Sequence, residues 1–274
     1  MPRLQTRLTS FLMALGLALG LAGCGGGGSS SSTPLNVSPG VYSSSANNDE
    51  ILVVLVRNTF DAQTPNWFGL KFTNGSADPD FYAASISNIG TSSPSGTSTK
   101  YFQNISNLTR TGTTSLSMPT ETKLSSTVAL QSDGQENANT LTWQTDTLNA
   151  NQYVFGVSAT SLTGFWTGRW SYGAGSAGSQ NLDIQAGQAI ANQSIGSNCP
   201  IGNAQLSPLE NGVNVYSVQL SVSAATLCTA FNQAAVSFKG LAYISASPIS
   251  GKTRRLNLMA VSTNGKAIFY RGDQ

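Results

Sequence analysis

"RLNLMAVSTNGKAIFYRG", Arg255 to Gly272, is the stretch on which the fold turns. Two runs of aliphatic and aromatic residues, "RLNLMAVS" and "KAIFYRG", flank Thr263, Asn264 and Gly265. Each has the length and content of a strand, and Asn-Gly supplies the positive φ values of a type I′ turn. The reading is an antiparallel hairpin, and it sets the terms for everything upstream.

Working outward from it, the chain repeats the same signal. "ILVVLVR" from Ile51 is a short β-branched run, and "NWFGLKF" from Asn66 alternates Trp67, Gly69 and Lys71 against Phe68, Leu70 and Phe72. "DFYAASISNI", "KLSSTVAL", "NTLTWQT", "QYVFGVSAT", "GFWTGRWSY", "VNVYSVQLSVS" and "VSFKGLAYISA" follow, divided by segments rich in Gly, Ser, Asn and Pro. No segment reads as a helix. Short strands at regular spacing predict an all-β antiparallel sandwich or barrel.

A faint echo suggests a division. "GVY" at Gly40 to Tyr42 opens one strand-rich region and "GFWTG" at Gly164 to Gly168 opens another of similar length. The boundary falls near residue 163, giving β regions at 40–163 and 164–274 that are either two related domains or one larger body.

The N-terminal residues carry an address. Arg3 and Arg7 precede the apolar run "LTSFLMALGLALGLAG", which is interrupted early by Thr9 and Ser10 and ended by Cys24. A spanning helix needs roughly 20 apolar residues, so residues 1–23 read as an export signal. "LAGC", Leu21 to Cys24, resembles the lipobox of bacterial lipoproteins, in which the cysteine becomes the lipid-bearing N-terminus. An ordinary secretory cleavage site is the alternative. Several acyl chains, each burying CH2 groups at about 0.8 kcal/mol, would anchor the chain stably. Gly25 lacks the aspartate associated with inner-membrane retention, so the resemblance implies the outer membrane. Residues 24–39 form the lipidated cysteine and a Gly/Ser-rich tether. Its nine residues 25–33 would span roughly 15 to 18 Å as a flexible coil.

Beyond Cys24 the cysteines are Cys199 and Cys228, an even pair in an exported chain and hence a disulfide. Closing a loop of that length contributes roughly 3 to 4 kcal/mol in the chain-entropy account. Without residues 1–23, Lys+Arg falls from 14 to 12 against 12 Asp+Glu. A neutral chain gives no electrostatic case for nucleic acid.

From Gly164 onward the chain resembles the C-terminal part of a functionally uncharacterised family of short proteobacterial lipoproteins. The motifs are Gly164, Trp166 and Gly168 in "GFWTG", Cys199 with Gly202, Cys228, and "GLAY", Gly240 to Tyr243, leading to "RLNLMAV". The resemblance implies a β-barrel-like region and assigns no catalytic residue.

Chemistry is bounded mainly by exclusion. The chain has no histidine, which removes the usual general base, the Ser-His-Asp and Cys-His arrangements and the H-E-x-x-H metal site. Asp78 and Asp80, with Asn74 near, fall short of the six to eight oxygens calcium prefers. The expectation is no enzyme, no cofactor and no metal. The aromatic face of "GFWTGRWSY" is the recognition candidate: alternation places Trp166, Gly168, Trp170 and Tyr172 together, either to stack on a ligand or to fill the core. The functional expectation is a lipid-anchored, non-catalytic binding module for a protein, a glycan or a small apolar ligand, with a structural or adhesive surface component as the alternative.

Overall fold

The computed structural model describes residues 35–274 apart from 60, 102–108, 133–137, 148–161, 173–174, 177–178, 186–189, 191–192, 197 and 210–213. Cys24, residues 25–33 and the strand expected over "QYVFGVSAT" lie outside the described residues. The fold is all β. Strands β1 (Gly40–Ala46), β2 (Asp49–Leu55), β3 (Trp67–Phe72), β4 (Asp80–Ser87), β5 (Ser95–Tyr101), β6 (Thr109–Thr120), β7 (Lys123–Leu130) and β8 (Asn139–Thr147) run antiparallel in chain order. The barrel is closed where β1 meets β8, through Tyr42 opposite Thr147 and Ser43 opposite Asp146.

A second, curled sheet follows. It contains β9 (Gly164–Tyr172), β10 (Gly175–Ser176), β11 (Gln180–Ile184), β12 (Ser194–Ile195), β13 (Cys199–Pro208), β14 (Val215–Val222), β15 (Val236–Ala246), β16 (Arg254–Val261) and β17 (Ala267–Asp273). Its order is β10-β9-β17-β16-β15-β14-β13-β12, with β11 also on β9. The first long strand thus pairs with the last, as in the barrel, but among the described residues the opposite seam has no continuous ladder. Ile190 spans it, bridging Ile184 of β11 and donating its N–H to the Ala204 carbonyl of β13 at 3.1 Å.

Three cores explain the sequence pattern. Val53, Leu55, Trp67, Tyr82 and Trp143 fill the barrel. Trp166, Trp170, Leu256, Leu258 and Tyr270 fill the curled sheet. Between the two sheets, Leu52, Val54, Phe68, Leu70 and Phe81 pack on Leu241, Tyr243, Met259 and Phe269. Strands β2, β4 and β16 therefore bury both faces, which is why "ILVVLV" reads as a continuous apolar run instead of an alternating one, and why "LNLMAV" is apolar but for the buried Asn257.

The hairpin that opened the sequence reading is present, with a different turn. Val261 pairs with Ala267, and Gly265 alone of the turn residues has positive φ, at 80°. Its N–H donates to the Ser262 carbonyl, so the loop is a four-residue turn ended by a left-handed glycine. Lys266 extends the loop by one residue, its N–H donating to Ser262 Oγ, and this leaves Asn264 outside the left-handed region. The type I′ pair is instead Asn47 (φ 53°) and Asn48 (φ 66°), between β1 and β2.

Residues 35–39, expected to belong to the tether over 24–39, are part of the folded body. Val37 is fully buried, exchanges main-chain hydrogen bonds with Gly90 and Thr91, and lies between Leu35, which bridges to Met118, and Ser38, which accepts from Tyr42. An apolar residue beside an open barrel end gains more from burial than from freedom.

Candidate functional site

The aromatic strand is core. Trp166 is 0% and Trp170 is 1% exposed, so neither indole offers a face to a ligand on the surface. Trp166 donates its indole N–H to the Leu162 carbonyl at 2.8 Å, and Trp170 packs on Tyr270 with ring centroids 4.9 Å apart. Gly168 between them is needed for another reason: a Cβ there would meet the Arg271 carbonyl at 2.0 Å. Tyr172 is half-buried, 6.1 Å from Phe231. The alternation was read correctly, and the platform fails because that face points inward. Cys199 and Cys228 are bonded, tying the start of β13 to the short 3-10 turn Thr229–Phe231.

Asp78 and Asp80 do not converge. Asp78 pairs with Arg169 and Asp80 with Lys100, and among the described residues no group of three His, Cys, Asp or Glu comes together.

Two recesses lie where the barrel meets the curled sheet. Three ion pairs cross that junction among the described residues: Glu50 with Arg271, Asp78 with Arg169 and Asp61 with Lys239. In each the barrel supplies the acid and the curled sheet the base. The sequence holds this asymmetry, which the whole-chain charge conceals. Residues 34–163 carry nine acidic and five basic side chains, residues 164–274 three and seven.

The first recess, about 510 Å³, is an arginine cleft. Arg271 and Arg169 stand directly opposite across β17 and β9, a like-charge pairing that the barrel's acids offset. Arg271 meets Glu50 through two 2.9 Å bonds, donates to Asn257 Oδ1, and lies over Phe72 at 4.2 Å. Arg255 grips Asp273 at 2.9 and 3.1 Å. Burial alone would raise the Asp273 pKa, but the bonds from Arg255 and Ser247 and the nearby guanidinium charges outweigh it and hold the carboxyl below the usual range. The charges of this recess are engaged with one another.

The second recess, about 680 Å³, is walled by hydroxyl groups. Its barrel side is the outward face of β5 and β6, where Thr97, Thr99, Thr109 and Thr111 line it, with Tyr101 deeper. Its other side is Ser237 and Lys239 of β15 and the turn Ser262–Gly265. Lys239 reaches Asp61 Oδ2 at 2.5 Å and Gln63 Oε1 at 3.4 Å, so this cation is neutralised in place. The Lys239 bond in turn lowers the Asp61 pKa. Burial pushes the Tyr101 phenol up to about 12, against a smaller opposing effect of its bond with Thr99, so the O–H stays a donor at neutral pH. Tyr101 stands edge-on to Phe81 at 5.7 Å.

Sequence reasoning passed over this recess. The signal was in "TRTGTTSLSMPT", whose outward residues Thr109, Thr111, Thr113, Ser115 and Ser117 all bear hydroxyls while the inward ones are buried. Nothing in one strand reveals that a hairpin turn, remote in sequence, closes over its end.

Comparison with known proteins adds no relative: no family model, no curated protein and no solved structure matches the chain.

Proposed function

We propose that the chain is an outer-membrane lipoprotein, anchored through Cys24, whose β body is a non-catalytic module that captures a ligand in the hydroxyl-walled recess. The observation that supports this most is hydrogen-bonding capacity the fold does not consume. The side-chain hydroxyls of Thr97, Thr111, Ser237 and Thr263 line the recess without a protein partner among the described residues. A recess of this volume lies within the roughly 300–1,000 Å³ usual for ligand sites. The lipobox-like "LAGC" supports the anchor, and the resemblance to short proteobacterial lipoproteins supports the envelope setting. The absence of histidine from the sequence supports a non-catalytic role.

Native mass spectrometry of the mature protein, extracted in mild detergent from its own host, tests the capture. A retained mass that Thr97→Val or Thr111→Val diminishes is expected; a protein that carries nothing in either form would overturn it. Cys24→Ser tests the anchor: the variant is expected in the aqueous phase after detergent partitioning, and partitioning equal to wild type would sink the lipoprotein assignment.

One observation favours a second reading, a structural or adhesive surface component. The outward residues of β5 to β8 form a hydroxyl-rich face, with Thr97 opposite Thr113, Ser115 opposite Thr127, and Thr127 bonded to Thr142 at 3.2 Å. Among the described residues of these strands, charge enters this face at the end where Lys123 pairs with Asp146.

A further inference from the structure

The geometry points to a neutral oligosaccharide as the ligand of the hydroxyl-walled recess, an inference that rests on the capture role proposed above. The walls settle the charge of the occupant first. Lys239 is the cation of the lining, and Asp61 and Gln63 already satisfy it. An anionic ligand would have to displace Asp61, and a cationic one would meet Lys239. A neutral ligand meets neither cost.

The hydrogen-bonding chemistry then narrows the class. A hydroxyl donates one hydrogen bond and accepts two, and a sugar hydroxyl does the same, so each can satisfy the other in either direction. Thr97 and Thr111 on the barrel face Ser237 and Thr263 across the recess, and all four hydroxyls lack protein partners among the described residues. Tyr101 adds a phenol that stays protonated, on a ring held edge-on to Phe81. An apolar patch for the C–H face of a sugar ring comes from the partly exposed Pro65 in the same lining.

The site is also preorganised. Thr97 and Thr111 stand on paired strands, Ser237 on β15, and the turn carrying Thr263 is pinned by Ser262, whose Oγ accepts from the Lys266 N–H at 3.0 Å. Gly265 brings that turn against the barrel, since a Cβ there would lie 3.2 Å from Thr109 Cγ2. Polar groups held on strands lose little freedom on binding. Beyond the recess the outward hydroxyls of β6 continue through Thr113, Ser115 and Ser117, a path along which a longer chain can lie. The arginine cleft lacks these properties, because its guanidinium groups and carboxylates are bonded to one another, Arg271 with Glu50 across the junction and Arg255 with Asp273 within the curled sheet.

The test is calorimetric titration of the detergent-solubilised mature protein with maltotetraose, cellotetraose and tetra-N-acetylchitotetraose. The acetylated sugar stands for the glycan strands of the cell wall, and the hexose chains for surface polysaccharide. Saturable binding of at least one is expected. The double variant Thr97→Val with Thr111→Val, which preserves shape and strand preference, is expected to weaken it about tenfold at unchanged Tm. Tyr101→Phe should weaken it severalfold, while Thr140→Val, on the same face but outside the recess, should leave it unaltered. Failure of all three sugars to bind, or an affinity indifferent to the double variant, would overturn the assignment. A non-sugar mass retained in native spectra and lost in the double variant would refute the oligosaccharide while leaving the capture role intact.

Discussion

The barrel and the curled sheet solve the same problem in opposite ways. Both are antiparallel meanders in which the first long strand pairs with the last, and each sets a tryptophan two residues before a glycine: Trp67 with Gly69 on β3, Trp166 with Gly168 on β9. The barrel closes its ladder but keeps a polar stretch inside, with Ser98, Thr114 and Ser126 buried and their hydroxyls without hydrogen-bond partners among the described residues. The curled sheet leaves its seam to Ile190 and relies on a continuous apolar interior and the Cys199–Cys228 bridge. Closure by main-chain bonds removes exposed edges and tolerates a less apolar core; an incomplete ladder needs packing and a covalent link to hold its shape.

Five experiments break or sharpen that contrast. The largest effect is expected from the tryptophans. Trp170→Ala in the curled sheet and Trp67→Ala in the barrel should each cost roughly 3 to 5 kcal/mol in chemical denaturation. Because Phe68, Leu70, Met259 and Phe269 share one core between the sheets, each variant should still unfold in a single transition. Two separated transitions would show the sheets to be independent and defeat the shared-core account.

Cys199→Ser follows, with an expected loss of roughly 2 to 5 kcal/mol, since the bridge spans 29 positions. Hydrogen exchange should locate the added mobility in β13 and the Thr229–Phe231 turn, and leave β1 to β8 protected. Equal deprotection of the barrel would mean that the bridge is not local to the seam. Gly265→Ala comes next. A side chain at φ 80° costs roughly 1 to 2 kcal/mol, and weaker oligosaccharide binding should accompany it, because the turn carrying Thr263 would shift.

The smallest effect belongs to the charged junction. Glu50→Gln removes a half-exposed partner of Arg271 and should cost less than about 1 kcal/mol, with reduced sensitivity to salt. Acid makes the same point. Asp61 and Asp273 both have folded-state pKa values below 3.8, so their stabilisation is complete above the unfolded value. It is lost as pH falls from about 3.8 through the folded values. Asp61→Asn together with Asp273→Asn should flatten that acid limb. An unchanged limb in the double variant would mean that other carboxylates drive the acid loss.

Much of this was legible in one dimension. Alternation in "KLSSTVAL", the terminal hairpin and the cysteine pair depend on neighbours in sequence or on a two-body choice, so these strands and the bridge could be read directly. The turn at Thr263 to Gly265 could not, because loop length and not the Asn-Gly pair selected its type. Nor could the fate of Trp166 and Trp170: a strand shows which residues share a face, and only the sheet's curl says whether that face meets solvent or core. The sequence by itself determined an all-β chain, sparse in charge and only +2 in total. Tertiary structure alone decided that acidic and basic halves meet in crossing ion pairs, and that a hairpin turn about 150 residues downstream of β6 closes one end of the hydroxyl face into a recess. The reason is that a recess belongs to the space between two surfaces, and neither surface encodes it alone.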